Sequence, residues 1–317
     1  MFMTTVSTIF SAIFQLFLIS ASAGILVKKG IVSQTQIQSL AAVTINVFLP
    51  CLIVSKTITS FDPVKFPLWW TLPLAGTLLV LGGLLFGSLL FRMNKDKMHL
   101  LPLASMQNSI YIVLPIGKLL YPEEFDIFAL YCFLLTMGLT PLMWSVGKVL
   151  LVGAKDVKIK CKDFITPPLI ATLISILTVF TGISSFLPEP LMASIDILGQ
   201  ATVPLAIFIL GATLGMISLT DMPSLRDILI VATIKFILLP LTVSGILYMS
   251  DLYRTMYLFS SLLILQASAP PATNLILIVR NYGGDSQSMS SMMFLQYIFC
   301  IFAMPVWLAI WQLLAVN

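Results

Sequence analysis

Apolar residues run along this chain in long blocks rather than alternating with polar ones, and short polar intervals separate the blocks. A helix needs about 20 mostly apolar residues to cross the hydrocarbon of a bilayer. Ten such blocks can be placed, at 6–27, 33–55, 68–91, 100–120, 125–151, 164–182, 196–217, 226–248, 254–280 and 288–314. The pattern predicts an all-α membrane protein with ten transmembrane helices, called spans 1 to 10 below. The longest polar interval, residues 153–164, divides the spans five plus five and sets two repeats, 1–155 and 156–317.

Prolines interrupt the blocks at matching places. Pro50 (NVFLPCLI) and Pro115 (NSIYIVLPIG) stand 65 residues apart, and Pro204 (ATVPLAIF) and Pro270 (QASAPPATN) stand 66 apart. The second pair follows the first by 154 and 155 residues, and Pro271 adjoins Pro270. Proline removes a backbone donor and clashes with the preceding turn, so each site is expected to break or kink its span. Broken helices at corresponding positions of two halves mark the binding site in many secondary transporters.

Composition says what surrounds these helices. The chain is 59% hydrophobic and 9% charged, with mean hydropathy +1.04. Soluble domains carry about 25% charged residues. The surroundings are therefore the lipid bilayer, and the protein is expected to be an integral, multi-pass membrane protein of a plasma or bacterial inner membrane. The apolar stretch TVSTIFSAIFQLFLISASAG has its lysines, Lys28 and Lys29, after it rather than before it. It is read as the first span and not as a signal peptide.

Loop charge gives an orientation. The odd-numbered loops hold twelve Lys and Arg residues: Lys28, Lys29, Arg92, Lys95, Lys97, Lys148, Lys155, Lys158, Lys160, Lys162, Arg226 and Arg280. The even-numbered loops hold four: Lys56, Lys65, Lys118 and Arg254. The excess puts the odd loops in the cytoplasm and both termini on the non-cytoplasmic side. Five spans per half then invert the second half relative to the first, which is the inverted-repeat condition. The net charge of +4 lies in short loops rather than on one face, which argues against nucleic-acid binding.

Catalytic signatures are missing from the sequence: it has no G-x-S-x-G, H-E-x-x-H or P-loop pattern. The four cysteines, Cys51, Cys132, Cys161 and Cys300, show no metal or disulfide spacing, and His99 is alone. Neither an enzyme nor a resident cofactor or metal is expected.

Polar side chains are costly in hydrocarbon, so their clustering near the prolines carries information. Asn46 precedes Pro50; Gln107 and Asn108 precede Pro115; Gln200 precedes Pro204; Gln266, Ser268 and Asn274 surround Pro270 and Pro271. A broken helix exposes N–H groups suited to a carboxylate, and neutral amides can complete the coordination. These seven are the candidate substrate-binding residues. Lys235 lies mid-span and needs a partner or water; Asp196, at the predicted start of span 7, is its candidate charge partner, for attracting the anion or for coupling. Glu123, Glu124 and Asp126 read as a solvated loop with acids at a helix start.

The motifs NVFLPCLI, N-S-x-Y-x-x-L-P (Asn108 to Pro115), GQATVPLAIFILGATLG, KFILLP and QASAPPATNLILIVRNYGGD together resemble the auxin efflux carrier family. That family includes plant PIN-type auxin exporters and bacterial malate or malonate transporters, and the resemblance spans nearly the whole chain. It implies a 5+5 inverted repeat like that of bile-acid sodium symporters. Helices 1, 2, 6 and 7 would form a scaffold, and helices 3–5 and 8–10 a transport domain with broken helices 4 and 9 crossing at Pro115 and at Pro270 or Pro271. It also implies Asn108 as the family's helix 4 asparagine and a homodimer through the scaffold. This chain departs from the family at Ile110 and Val113, where small residues are common, and has only residues 153–164 in place of a long hydrophilic loop.

The expected function is a secondary transporter that exports a small organic carboxylate by an elevator-type alternating-access mechanism. The alternative is a dicarboxylate importer coupled to Na+ or H+ on the same fold; a metabolite sensor is the distant third reading.

Overall fold

The computed structural model describes residues 2–153, 165–217, 222–252, 256–283 and 286–316. The basic residues and Cys161 of the interval 154–164, and Arg254, lie outside that set. Regular structure among the described residues is helical, with one isolated β-bridge. The helices are α1 (Phe2–Lys28), α2 (Gln34–Ser60), α3 (Thr71–Leu90), α4 (Leu101–Ser105), α5 (Ser109–Leu120) and α6 (Phe125–Val152). They continue with α7 (Pro167–Phe180), α8 (Glu189–Gly215), α9 (Leu225–Met249), α10 (Tyr257–Ala267), α11 (Asn274–Tyr282) and α12 (Ser286–Val316).

Among the described residues, seven helices are long and apolar enough to cross a membrane: α1, α2, α3, α6, α8, α9 and α12. The protein is therefore an all-α, multi-pass membrane protein. The other three predicted spans do not yield one long helix each. Span 4 is divided between α4 and α5, span 9 between α10 and α11, and span 6 supplies only the 14 residues of α7. At 1.5 Å per residue, α7 is about 21 Å long, short of the roughly 30 Å hydrocarbon layer.

The prolines act differently from the expectation. In α2, α5 and α9 a five-residue π turn (Thr44–Phe48, Ser109–Val113, Ile234–Leu238) is followed directly by Leu-Pro: Leu49-Pro50, Leu114-Pro115 and Leu239-Pro240. The leucine N–H reaches the carbonyl five residues back, that of Thr44, Ser109 or Ile234. This widening occurs where the proline ring would strike the carbonyl four residues before it. In α9 that carbonyl belongs to Phe236 and accepts the Trp307 indole N–H at 2.6 Å. Pro50 thus lies in a continuous helix. Pro204 does too: α8 passes Gln200, Ala201 and Thr202 with one turn residue, Ala201, at φ −66°, ψ −20°. Pro115 follows the real interruption, at Met106–Asn108, by seven residues. Only Pro270 and Pro271 sit within a break, at 268–273.

Small residues allow the helices to approach closely, as is usual between membrane helices. A Cβ on Gly211 of α8 would lie 1.9 Å from the Ser20 carbonyl oxygen of α1, and one on Gly138 of α6 would lie 1.8 Å from that of Pro73 in α3. Around these contacts, α2 packs on α7 and the first half of α8, and α12 packs on α1 and α10. The outer face of α3 presents Leu74, Leu78, Leu81, Leu85 and Leu89, a leucine stripe at helical spacing that suits lipid.

Candidate functional site

The two interrupted helix pairs meet. The Asn108 N–H donates to the Pro270 carbonyl at 2.9 Å, and the Ala272 N–H donates to the Met106 carbonyl at 3.0 Å. Gln107 and Pro271 face each other in an antiparallel bridge. Each break thus supplies the backbone bonds that the other lacks, which is what makes open backbone tolerable inside a membrane protein.

Side chains fix the crossing further. Asn108 caps α5: its Oδ1 accepts the Tyr111 N–H at 3.0 Å. Its Nδ2 donates to the Tyr297 hydroxyl of α12 at 2.5 Å, and that hydroxyl donates to the Pro271 carbonyl at 3.0 Å. Gln266 donates to Ser109 Oγ at 2.6 Å, leaving its own Oε1 buried without a partner. Gln107 is 1% exposed, and neither end of its amide makes a hydrogen bond. Tyr297 went unnoticed in the sequence, where a tyrosine in an apolar span reads as packing; its partners lie 189 and 26 residues away.

A cavity of about 280 Å³ opens beside the crossing. Its polar lining comes from Gln107, Asn108, Ser109, Thr136, Thr140, Thr166, Thr273 and Asn274. Its apolar lining includes Ile45, Leu49, Ile53, Trp144 and Ile110, the last being one of the family departures. No charged side chain lines it among the described residues. A second cavity, about 330 Å³, shares Ile45, Tyr111, Thr273, Asn274 and Leu277 with the first and extends to Gln34 and Arg280 at the odd-loop end. At the even-loop end lies a wider bay of about 950 Å³, with Asp62, Lys65 and Glu124 at its rim. The backbone N–H groups of Lys65 and Val64 hold the Asp62 carboxyl below the usual carboxylate range.

Of the seven candidate residues, the structure brings Gln107, Asn108 and Asn274 to the crossing cavity and places Gln266 just behind it. It does not bring the other three there. Asn46 points outward and donates to Ala42 O of its own helix at 2.7 Å. Ser268 is buried on the Ile264 carbonyl at 2.8 Å. Gln200 donates to Asp196 at 2.6 Å.

The expected Lys235–Asp196 pair does not form. Helix α8 begins at Glu189, so Asp196 lies inside it, facing α2, where Ser55 (2.5 Å) and Lys56 (3.0 Å) hold its carboxylate. Lys56, read as a loop residue, is in α2 and also pairs with Asp126 of α6 at 3.0 Å. Asp126 is therefore not simply solvated. Lys235 packs among α3, α4 and α12, fully buried, and its amine has no hydrogen-bond partner.

The comparisons with known proteins point to membrane transport. The family profile described as "Membrane transport protein" matches residues 154–308. The match spans the second half of the chain, just under half of its length, and there the chain is similar to this family of membrane transporters. An uncharacterized transporter of Methanocaldococcus jannaschii is 26% identical over 288 residues, covering 88% of this chain and 91% of the relative. One from Methanothermobacter thermautotrophicus is 24% identical over 287 residues, 88% and 90% of the two chains. A Rhizobium meliloti protein named "Putative malonate transporter" is 34% identical over 113 residues, 34% of each chain. The resemblance to auxin efflux carriers accords with all three. The family match and the transporter-named relatives indicate a transporter rather than an enzyme.

Proposed function

We propose that this transporter exports a small organic carboxylate and binds it at the crossing. The observation that carries the reading is Gln107, buried at the cavity wall with both ends of its amide unpaired. An unsatisfied buried polar group costs about 1–3 kcal/mol, which a ligand that pairs with it offsets. Gln107 and Asn274 supply amide donors, and Asn108, Gln266 and Tyr297 hold the broken backbone in shape. A relative's printed name includes malonate, which supports a carboxylate as the solute.

In this proposal the chain crosses the membrane ten times as a 5+5 inverted repeat, with the odd loops cytoplasmic and α4, α5, α10 and α11 supplying the broken crossings. The crossing body (spans 3–5 and 8–10) moves as an elevator against a scaffold of spans 1, 2, 6 and 7, through which two copies pair. An inside-negative potential drives an anion outward, worth about 2.3 kcal/mol per charge per 100 mV, or roughly 50-fold in concentration. Neutral lining favours uncoupled movement, because among the described residues no carboxylate lines the cavity to carry a proton.

The test uses purified protein in sealed liposomes, with malate, malonate and indole-3-acetate as solutes and electrical current as the readout. A current without Na+ or a pH gradient supports uncoupled export. Flux that requires either gradient overturns it in favour of a coupled dicarboxylate importer. Binding without flux in sealed vesicles would bring back the sensor.

A further inference from the structure

The crossing cavity and the cavity behind it differ in one respect: the first has a neutral lining, whereas the second has a single charged side chain, Arg280, among its described lining residues. Arg280 occupies the last turn of α11. Its guanidinium is exposed and makes no ion pair with any described residue. The same cavity is lined by Gln34 and Gln38, four residues apart and so on one face of α2. Gln36, between them, is committed elsewhere: its Oε1 accepts the Ser33 N–H at 2.8 Å to close the capping box. Two amides and one guanidinium thus face a space that runs on to Asn274 and the crossing.

We infer that Arg280, with Gln34 and Gln38, forms a docking subsite for a carboxylate group at the odd-loop mouth of the transport path. This rests on the carboxylate reading above and adds to it a second, charged station before the neutral one. A guanidinium presents a planar fork of donors that matches a carboxylate and stays charged at any working pH. A lone cation at the mouth of an apolar cleft also concentrates anions there. The separation of roles has a physical reason. A charged site deep in the crossing would hold the anion too tightly to release it, whereas one at the mouth collects it and leaves the neutral amides to carry it.

The test compares wild type, Arg280→Gln and Arg280→Lys, as full chains in liposomes, with malonate, malate and indole-3-acetate as probes. Arg280→Gln is expected to lower flux at low solute about tenfold, the loss of one charge-assisted contact, while maximal flux at saturating solute stays unchanged. Detailed balance ties the two directions of a passive carrier, so the loss shows in both. Raising NaCl from 50 to 500 mM should slow low-solute flux in wild type and leave Arg280→Gln nearly indifferent, because salt screens the charge. Arg280→Lys should keep most of the wild-type flux and its salt dependence. Unchanged low-solute flux in Arg280→Gln overturns the docking subsite while the carboxylate reading stands. Loss of maximal flux in both variants, with lower thermal stability, makes Arg280 a structural residue and overturns it as well. If wild type carries none of the three probes, the carboxylate reading fails and the subsite fails with it.

Discussion

The crossing and the α2–α8 contact both lie beside prolines, yet only the crossing opens the backbone. At Pro50 the π turn Thr44–Phe48 absorbs the missing donor, and at Pro204 the helix passes through Ala201 with right-handed geometry throughout. At Met106–Asn108 and Ser268–Thr273 the helix stops, and two backbone bonds run to the other broken pair instead. The difference teaches that proline by itself does not break a membrane helix. The helix opens where a second backbone arrives to take its bonds; elsewhere it continues, widened by a π turn at Pro50 and without one at Pro204. The polar side chains divide the same way. The carboxylate of the α2–α8 contact is paired, Asp196 with Ser55, Lys56 and Gln200, whereas at the crossing Gln107 is wholly unpaired and Gln266 is half paired.

The largest expected effect tests the opened backbone. Asn108→Ala removes the cap on Tyr111 and strips the Tyr297 hydroxyl of a donor. We predict a fall in liposome flux of roughly 10- to 100-fold, from the 1–3 kcal/mol that a buried group left unpaired costs. Membrane insertion and detergent monodispersity should be retained. Normal flux in this variant would show that transport does not need the crossing held in this shape and would move the site elsewhere.

Gln107→Leu separates binding from stability. A buried amide with no partner stabilises nothing, so leucine should raise the melting temperature of the solute-free protein by a few degrees, or about 1 kcal/mol. Flux should drop about tenfold in the same variant. A lower melting temperature would show that Gln107 is bonded within the protein.

Lys235→Met applies the same logic to a buried amine outside the cavity. It should raise thermal stability by on the order of 1 kcal/mol, since an apolar residue of similar length replaces an unpaired polar group. Flux should be near normal; a variant that folds well and does not transport would make Lys235 part of the carrier cycle.

The smallest effects belong to the outward face of α2. Asn46→Ala touches only a bond within its own helix and should change stability by less than about 0.5 kcal/mol and flux by less than twofold. A large flux defect there would mean that α2 turns this face to the solute in another state of the cycle.

Much of the site could be read from the sequence because lipid makes polar residues expensive. Gln107, Asn108, Gln266 and Asn274 stood out in apolar spans, and all four lie at or just behind the crossing. The proline positions indicated two spans that are interrupted, 4 and 9, and two that are not, 2 and 7, and in span 4 the break precedes Pro115, because a π turn that relieves a proline leaves no mark in composition. Tyr297 and the Lys56–Asp196–Asp126 group were missed for a different reason. Their partners are set by how the spans pack, across separations of 189 and 140 residues for Asn108–Tyr297 and Lys56–Asp196, and no local pattern encodes that. Lys56 was also hidden by a boundary: the apolar block ends near residue 55, whereas the helix runs to Ser60.

The two backbone bonds at the crossing also set an order of events in biogenesis. Met106 and Asn108 are made early, and the residues that bond to them, Pro270 and Ala272, follow more than 160 positions later. At roughly 5–20 residues per second, the ribosome needs on the order of ten seconds to deliver them. For that interval the nascent first half holds a severed helix with no counterpart. It must be sheltered by water, by the insertion machinery or by a temporary bond until the second half arrives. Chains arrested between the halves should therefore be the form most readily captured by membrane quality-control proteases.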